Sequence, residues 1–240
     1  MKLSVLMPVY NERQWIEKVV HNVLKQNVPG ITSMELIIVD DGSTDGTREI
    51  IGALSRKFQE KVIAIFHQKN FGKGAAVKTA IEKMTGDVCI IQDADLEYDP
   101  GEFALVLEPI ISGRADCVYG SRFTGTQAKR VLFFWHYVGN RVVTLLSNLL
   151  TNLNFTDIET CYKAFRAELI KNIPLRSRDF GFEPEITVKI AKKKCRIYEV
   201  GISYSGRTYG EGKKIKWTDG LKAIFIIFKY WLIDDTKIQY

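Results

Sequence analysis

The sequence predicts an α/β protein in which a mostly parallel, mixed sheet is sandwiched between helices and followed by a helical carboxy-terminal elaboration. Three observations carry that expectation. Short apolar runs alternate with helix-periodic segments as far as Tyr119, the pattern of strands joined by helical crossovers. Three of those runs end in acidic clusters, Tyr10-Asn11-Glu12, Asp40-Asp41 and Asp93-Ala94-Asp95. After Ser121 the alternation gives way to longer segments rich in aromatic residues.

Leu3 to Val9 reads as the first strand, and Ile16, Val19, Val20, Val23 and Leu24 mark one face of the helix after it. Leu36-Ile37-Ile38-Val39 is the second strand, with Ser43 or Thr44 expected to cap a helix through Ile50, Ile51 and Leu54. Val62 to Phe66 is a third strand and Gly72 to Met84 its helix; Val88 to Ile91 is a fourth, with a helix near Glu102 to Ile111. Cys117-Val118-Tyr119 is a fifth strand. Val131 to Leu153 reads as an amphipathic helix pair, interrupted at His136, Asn140 and Arg141. Glu185 to Lys194 is a helix, Arg196 to Tyr204 a strand and Thr218 to Ile233 a terminal helix. No internal repeat or Gly/Ser/Pro-rich linker divides the chain, so one domain over 1–240 is expected, with halves 1–122 and 123–240.

The 240 residues are 46% hydrophobic and 26% charged, ordinary values for a globular chain with a sizeable core. An excess of 34 basic over 28 acidic residues gives a net charge of +6, which suits an anionic partner without choosing one. The basic residues follow no nucleic-acid-binding module, so a nucleic-acid partner is not expected. Cys89, Cys117, Cys161 and Cys195 are too widely spaced for a zinc site and read as reduced core residues of a cytosolic protein. The amino terminus has no cleavage signal, and no window reaches the roughly 18 apolar residues of a spanning helix. A cytoplasmic chain, peripheral at the cytoplasmic face of a membrane at most, is the expectation.

Ligands of parallel sheets bind beyond the carboxyl ends of the strands. Asp93-Ala94-Asp95, with Glu97 two positions on, offers hard oxygen donors suited to Mg²⁺ or Mn²⁺, against the alternative of a capped turn before Asp99-Pro100. Asp40 and Asp41 suit hydrogen bonds to a base or a ribose, again against a plain turn. Neither GxGxxG nor a P-loop is present; Gly72-Lys73-Gly74 is either a turn into a helix or a place for Lys73 beside a phosphate. Arg122 ends the fifth strand with a guanidinium, and Ser205 to Lys214 is a glycine-rich basic loop able to close over a diphosphate or simply solvated.

Together, Pro8-Val9-Tyr10-Asn11-Glu12, Val39-Asp40-Asp41-Gly42-Ser43, Asp93-Ala94-Asp95-Leu96-Glu97 and Gly120-Ser121-Arg122 resemble family-2 glycosyltransferases of the GT-A fold. The branch is that of dolichol-phosphate mannose synthases and polyprenyl-phosphate glycosyltransferases. The resemblance runs from Leu3 to about Lys229 and implies Pro8, Tyr10, Glu12 and Asp41 around a nucleotide, and Asp93, Asp95 and Glu97 near a metal. Arg122, Arg207 and Lys213 would then face the diphosphate or an acceptor phosphate. Two departures are visible: Glu97 stands where the mannose synthases commonly have glutamine, and Asp157 to Lys163 is closer to the related polyprenyl-phosphate transferases.

The implied activity is inverting transfer of mannose or glucose from GDP-mannose or UDP-glucose to a polyprenyl or dolichyl phosphate, with Asp93, Asp95 and Arg122 as the catalytic set. A lipid phosphate needs no general base. A saccharide hydroxyl would, with Glu159 and Glu183 as the loose candidates. A binding protein without turnover is the remaining alternative. The aromatic segment after Val131, flanked by Lys129, Arg130 and Arg141, suits a bilayer interface, against core packing or a homodimer face.

Overall fold

The computed structural model describes residues 1–131, 133–212 and 217–233. Seven strands form one sheet: β1 (Lys2–Val9), β2 (Ser33–Asp40), β3 (Val62–Phe66), β4 (Val88–Ile91), β5 (Cys117–Ser121), β6 (Lys163–Arg166) and β7 (Ile197–Gly201), in the order β3-β2-β1-β4-β6-β5-β7. The β1–β2, β1–β4, β2–β3 and β5–β7 pairs are parallel, and β6 runs against both its neighbours. The helices are α1 (Ile16–Leu24), α2 (Thr47–Lys57), α3 (Lys73–Lys83), α4 (Phe103–Ile111), α5 (Phe134–Thr151), α6 (Ala167–Lys171), α7 (Phe182–Lys192) and α8 (Trp217–Leu232).

The central strands carry continuous apolar runs because both faces are covered, and Leu36, Ile37, Ile38 and Val39 are all fully buried. α3 packs on β1 and β2, α2 on β3 and α4 on β5 and β6, while α7 packs against both α5 and α8. The register places Val9 opposite Asp40, so β1 and β2 deliver their carboxyl ends to one edge. Gly42 is required there: its φ is +77°, and a Cβ would stand 2.6 Å from the Lys69 carbonyl carbon.

Several boundaries differ from the sequence reading. The segment after Val131 holds one continuous helix, α5, because Gly139 lies within it without breaking it. β6 was not expected; four residues containing Lys163 carry too little apolar pattern. α7 begins at Phe182, ahead of Pro184, since proline is tolerated in a helix's first turn. Neither Ser43 nor Thr44 caps α2: Gly46 precedes it, and the Asp45 carboxylate accepts from the Thr47 amide at 3.1 Å. Ser43 Oγ accepts instead from the Asn11 amide at 2.9 Å, tying the β1 loop to the β2 loop. The four cysteines form no disulfide, and Cys89, Cys117 and Cys161 are buried.

Candidate active site

A cavity of about 1060 Å³ opens at the carboxyl edge of the sheet. Pro8, Tyr10, Glu12, Asp41, Asp93, Asp95, Glu97, Arg122 and Arg207 all line it. Asp40 does not. Its fully buried carboxylate is turned away from the cavity, accepting from the Ser43 amide at 3.3 Å and pairing with Arg48 at 3.4 Å. Its expected nucleotide contact is therefore corrected: alternation along a strand sends adjacent side chains to opposite sides, and Asp41 takes the cavity side. Lys213 lies outside the described residues.

Asp41 braces the wall. Its Oδ1 accepts from the Phe71 amide at 3.0 Å and pairs with His67 Nδ1 at 2.7 Å, and its Oδ2 accepts from the Gly72 amide at 2.7 Å. These bonds fix the turn that leads into α3 and so place Lys73 at the cavity. Lys73 Nζ lies 3.2 Å from Asp93 and 2.9 Å from Glu183, and also donates to the Cys161 sulfur. Burial works against its charge, but Asp93, Cys161 and Glu183 outweigh that and hold the ammonium well above the ordinary lysine range.

A second cluster surrounds Arg207, whose guanidinium reaches Asp95 at 2.7 Å, Glu12 at 3.1 Å and Glu97 at 3.3 Å. Glu97 also accepts from the Arg207 amide and from Tyr204 Oη, each at 2.9 Å. Leu96, between the two acidic residues, has φ +60°, a left-handed conformation rare for leucine, and both its neighbours turn to the same guanidinium. Burial, then the charges of Asp93 and Glu97, push the Asp95 carboxyl up to about 7 even with Arg207 beside it.

The metal trio expected from the sequence is not assembled. Asp93 is held by Lys73, while Asp95 and Glu97 are held by Arg207, and among the described residues no three His, Cys, Asp or Glu side chains are gathered to hold a metal ion. The donor chemistry still fits a hard divalent cation, because these crowded carboxylate oxygens already draw in a guanidinium.

Arg122 is pinned from below. Its Nε and Nη2 donate to the two Asp157 oxygens at 2.7 and 2.8 Å, and its amide donates to Oδ2 at 3.1 Å. Asp157 was not expected as its partner; 35 residues separate the two, and the antiparallel pairing of β5 with β6 brings the end of β5 beside the loop before β6. Glu159 and Glu183 also line the cavity, as do the aromatic residues Phe133 to Trp135 and Tyr137.

A family model for glycosyl transferase family 2 matches residues 4–173. The chain belongs to glycosyl transferase family 2. As a glycosyltransferase it is 29% identical over 239 residues to the UDP-N-acetylglucosamine–dolichyl-phosphate N-acetylglucosaminyltransferase of Methanococcus voltae, covering 93% of each chain. It is 29% identical over 215 residues to the dolichol-phosphate mannosyltransferase of Pyrococcus furiosus, covering 89% of this chain and 59% of that one. The undecaprenyl-phosphate 4-deoxy-4-formamido-L-arabinose transferase of Pseudomonas aeruginosa is 26% identical, with 88% of this chain and 60% of that one covered. The glycosyltransferase thus spans about three-fifths of the length of these last two relatives. Among solved structures, glucosyl-3-phosphoglycerate synthase of Mycobacterium tuberculosis with Mn²⁺, uridine diphosphate and phosphoglyceric acid superposes with a TM-score of 0.74. The identity there is 20%, over 98% of this chain and 80% of that one, and establishes the shared fold.

Proposed function

We propose that this glycosyltransferase moves a hexose, mannose or glucose, from GDP-mannose or UDP-glucose to a polyprenyl or dolichyl phosphate, with inversion and with Mg²⁺ or Mn²⁺. The observation that carries the reading is the cavity's division into two chemistries. Its buried and half-buried lining is carboxylate and basic, with Asp93, Asp95, Lys73, Arg122 and Arg207, whereas Phe134, Trp135 and Tyr137 give it an exposed aromatic border. A nucleotide sugar suits the first, and a prenyl chain leaving toward a bilayer suits the second. The three relatives are named for dolichyl-phosphate or undecaprenyl-phosphate transfer, which supports the same acceptor class.

In this reading Pro8, Tyr10, Glu12 and Asp41 border the nucleotide, and Asp93 and Asp95 hold the cation. The cation, when bound, would neutralise charge on the departing diphosphate. Arg122 is pre-oriented by Asp157 for an anionic group, an arrangement that needs no reorganisation as charge develops. Arg207, released from Asp95, would turn its guanidinium to a phosphate. A phosphate acceptor is already ionised at neutral pH, so no residue need remove its proton. Residues 1–122 would form the donor side and 123–240 the acceptor side of one domain.

The outer face supports a peripheral membrane contact, at the cytoplasmic face. Trp135 is 78% exposed and Phe225 68% exposed, on the adjoining helices α5 and α8. Lys129 and Arg130 line the same cavity as Trp135, and Lys222 shares α8 with Phe225; Arg130 pairs with Glu211 at 2.9 Å, and this mix of apolar and basic groups fits an anionic lipid surface. No helix among the described residues is long and apolar enough to cross a membrane. A homodimer built on this face is the competing use of the same surface.

Radiolabelled GDP-mannose and UDP-glucose, offered with polyprenyl phosphate and Mg²⁺ or Mn²⁺, test the reading. Label should enter the organic-extractable fraction and vanish with EDTA. Label entering only saccharide acceptors would replace the lipid phosphate with a sugar hydroxyl.

A further inference from the structure

The segment from Thr156 to Cys161 is braced at almost every residue. Glu199 accepts from the Thr156 amide at 2.9 Å and from the Asp157 amide at 3.1 Å, and Asp157 grips Arg122. The fully buried Lys163 ammonium donates to the carbonyls of Ile158, at 3.0 Å, and Thr160, the two residues flanking Glu159. Tyr98 Oη accepts from the Cys161 amide at 3.2 Å. Such bracing is what a binding loop needs to hold one side chain in place.

That side chain is Glu159. It lines the cavity, and among the described residues its Oε1, although buried, has no hydrogen-bond partner. Glu183, across the cavity wall from α7, is 3% exposed; its Oε1 is held by Lys73, and its buried Oε2 has no partner either. Buried carboxylate oxygens that no group of the chain satisfies, in the wall of a cavity, suit a hydrogen-bond donor from outside the chain. The two carboxylates repel phosphate and accept hydroxyl protons, so the matching ligand is a neutral group rich in O–H donors. Burial, then the charge of Glu183, push the Glu159 carboxyl up to about 7, consistent with two acids facing one space.

We infer that Glu159 and Glu183 form the subsite for the donor's hexose, with Glu159 accepting hydrogen bonds from the sugar hydroxyls and thereby setting which sugar is held. The inference rests on the nucleotide-sugar reading above. It assigns these residues to recognition and not to proton removal from an acceptor. Lys73 joins the subsite to the diphosphate end, since it bonds Glu183 and Asp93 at once.

Calorimetric titration of the whole protein with Mn²⁺ separates sugar from nucleotide. UDP-glucose, UDP-N-acetylglucosamine and GDP-mannose are each compared with UDP or GDP alone, for the native chain and for Glu159→Gln and Glu159→Met. The expected result is that the nucleotide sugar bound by the native chain weakens about tenfold or more in both variants, the loss of one charged hydrogen bond. The matching nucleoside diphosphate should stay within about twofold. Equal weakening of sugar nucleotide and diphosphate, or no weakening of either, overturns the inference while leaving the transferase reading standing. Failure of the native chain to bind any of the five nucleotides removes the proposed GDP-mannose or UDP-glucose donor, and this inference with it.

Discussion

Arg207 and Asp95 meet at 2.7 Å although 112 residues separate them in the chain. The guanidinium sits among Glu12, Asp95 and Glu97, so the loop after β7 supplies positive charge to the acidic end of β4. A divalent cation held by Asp95, as proposed, would therefore compete with Arg207 for one carboxylate. Arg207→Gln should bind Mn²⁺ more tightly than the native chain in the absence of nucleotide, by about tenfold. Its transfer rate should fall by about 10² or more, because the guanidinium is also wanted at the phosphate. Calorimetry with Mn²⁺ alone reads the first effect; weaker or unchanged Mn²⁺ affinity would end the competition argument.

Arg122 and Asp157 are both buried and joined by two parallel hydrogen bonds. Asp157→Ala leaves that guanidinium without its counter-charge, which typically costs about 3–5 kcal/mol. Denaturant unfolding should show the loss, and transfer activity should fall with it. The conservative Asp157→Asn should recover part of the stability through one retained hydrogen bond; an Ala variant as stable as native would show the pair to be dispensable.

Glu159 faces Glu183, Asp157, Lys163 and Arg122, and its carboxyl titrates near 7 instead of its ordinary 4.5. A raised carboxyl pKa means the folded chain holds a proton that the unfolded chain has released, so folding stability declines as pH rises from about 4.5 through 7. Glu159→Gln should accordingly raise the melting temperature at pH 8 by a few degrees, roughly 1–2 kcal/mol, and leave it nearly unchanged at pH 4. Melting curves at the two pH values decide it, and a destabilised variant at pH 8 would contradict the argument.

Glu35 behaves in the opposite sense. Burial raises its pKa, but hydrogen bonds from Lys2, Ser4 and Thr85 outweigh that and hold it at about 2. Its contribution is complete above the ordinary 4.5 and is lost as pH falls toward 2. Glu35→Gln should cost on the order of 2 kcal/mol at pH 7, with the difference from native shrinking in acid. Urea unfolding at pH 7 and pH 3 checks this, and a gap that does not shrink would show that Glu35 acts through packing alone.

Trp135, which lines the cavity, and Phe225 stand exposed on the adjoining helices α5 and α8. If this face meets a bilayer, Trp135→Asp and Phe225→Asp should each weaken binding to anionic vesicles by about tenfold or more, since each removes an exposed aromatic that would enter the bilayer. Cosedimentation with vesicles measures it. Undiminished binding by the double variant, or a change from dimer to monomer on gel filtration, would assign the face to protein contact.

Much of the architecture was legible before any coordinate. Residues 36–39 and 88–91 are apolar runs because they lie in strands covered on both faces, and runs of that kind announce themselves in one dimension. The acidic strand ends were legible for a related reason, since charged residues directly after a buried run must lie where the strand leaves the core. What the sequence by itself determined was therefore the order of strands and helices as far as β5, and the sheet edge at which most of the expected site residues gather. Tertiary structure alone decided the pairings: Arg207 with Glu12 and Asp95, Lys73 with Asp93 and Glu183, Arg122 with Asp157. It also decided that Asp41 and not Asp40 faces the cavity, and that β6 inserts antiparallel between β4 and β5. The physical reason is the same in each case. Local pattern reports whether a residue is buried, whereas partner choice depends on which distant segments the sheet order brings to one edge, and no local pattern encodes that order.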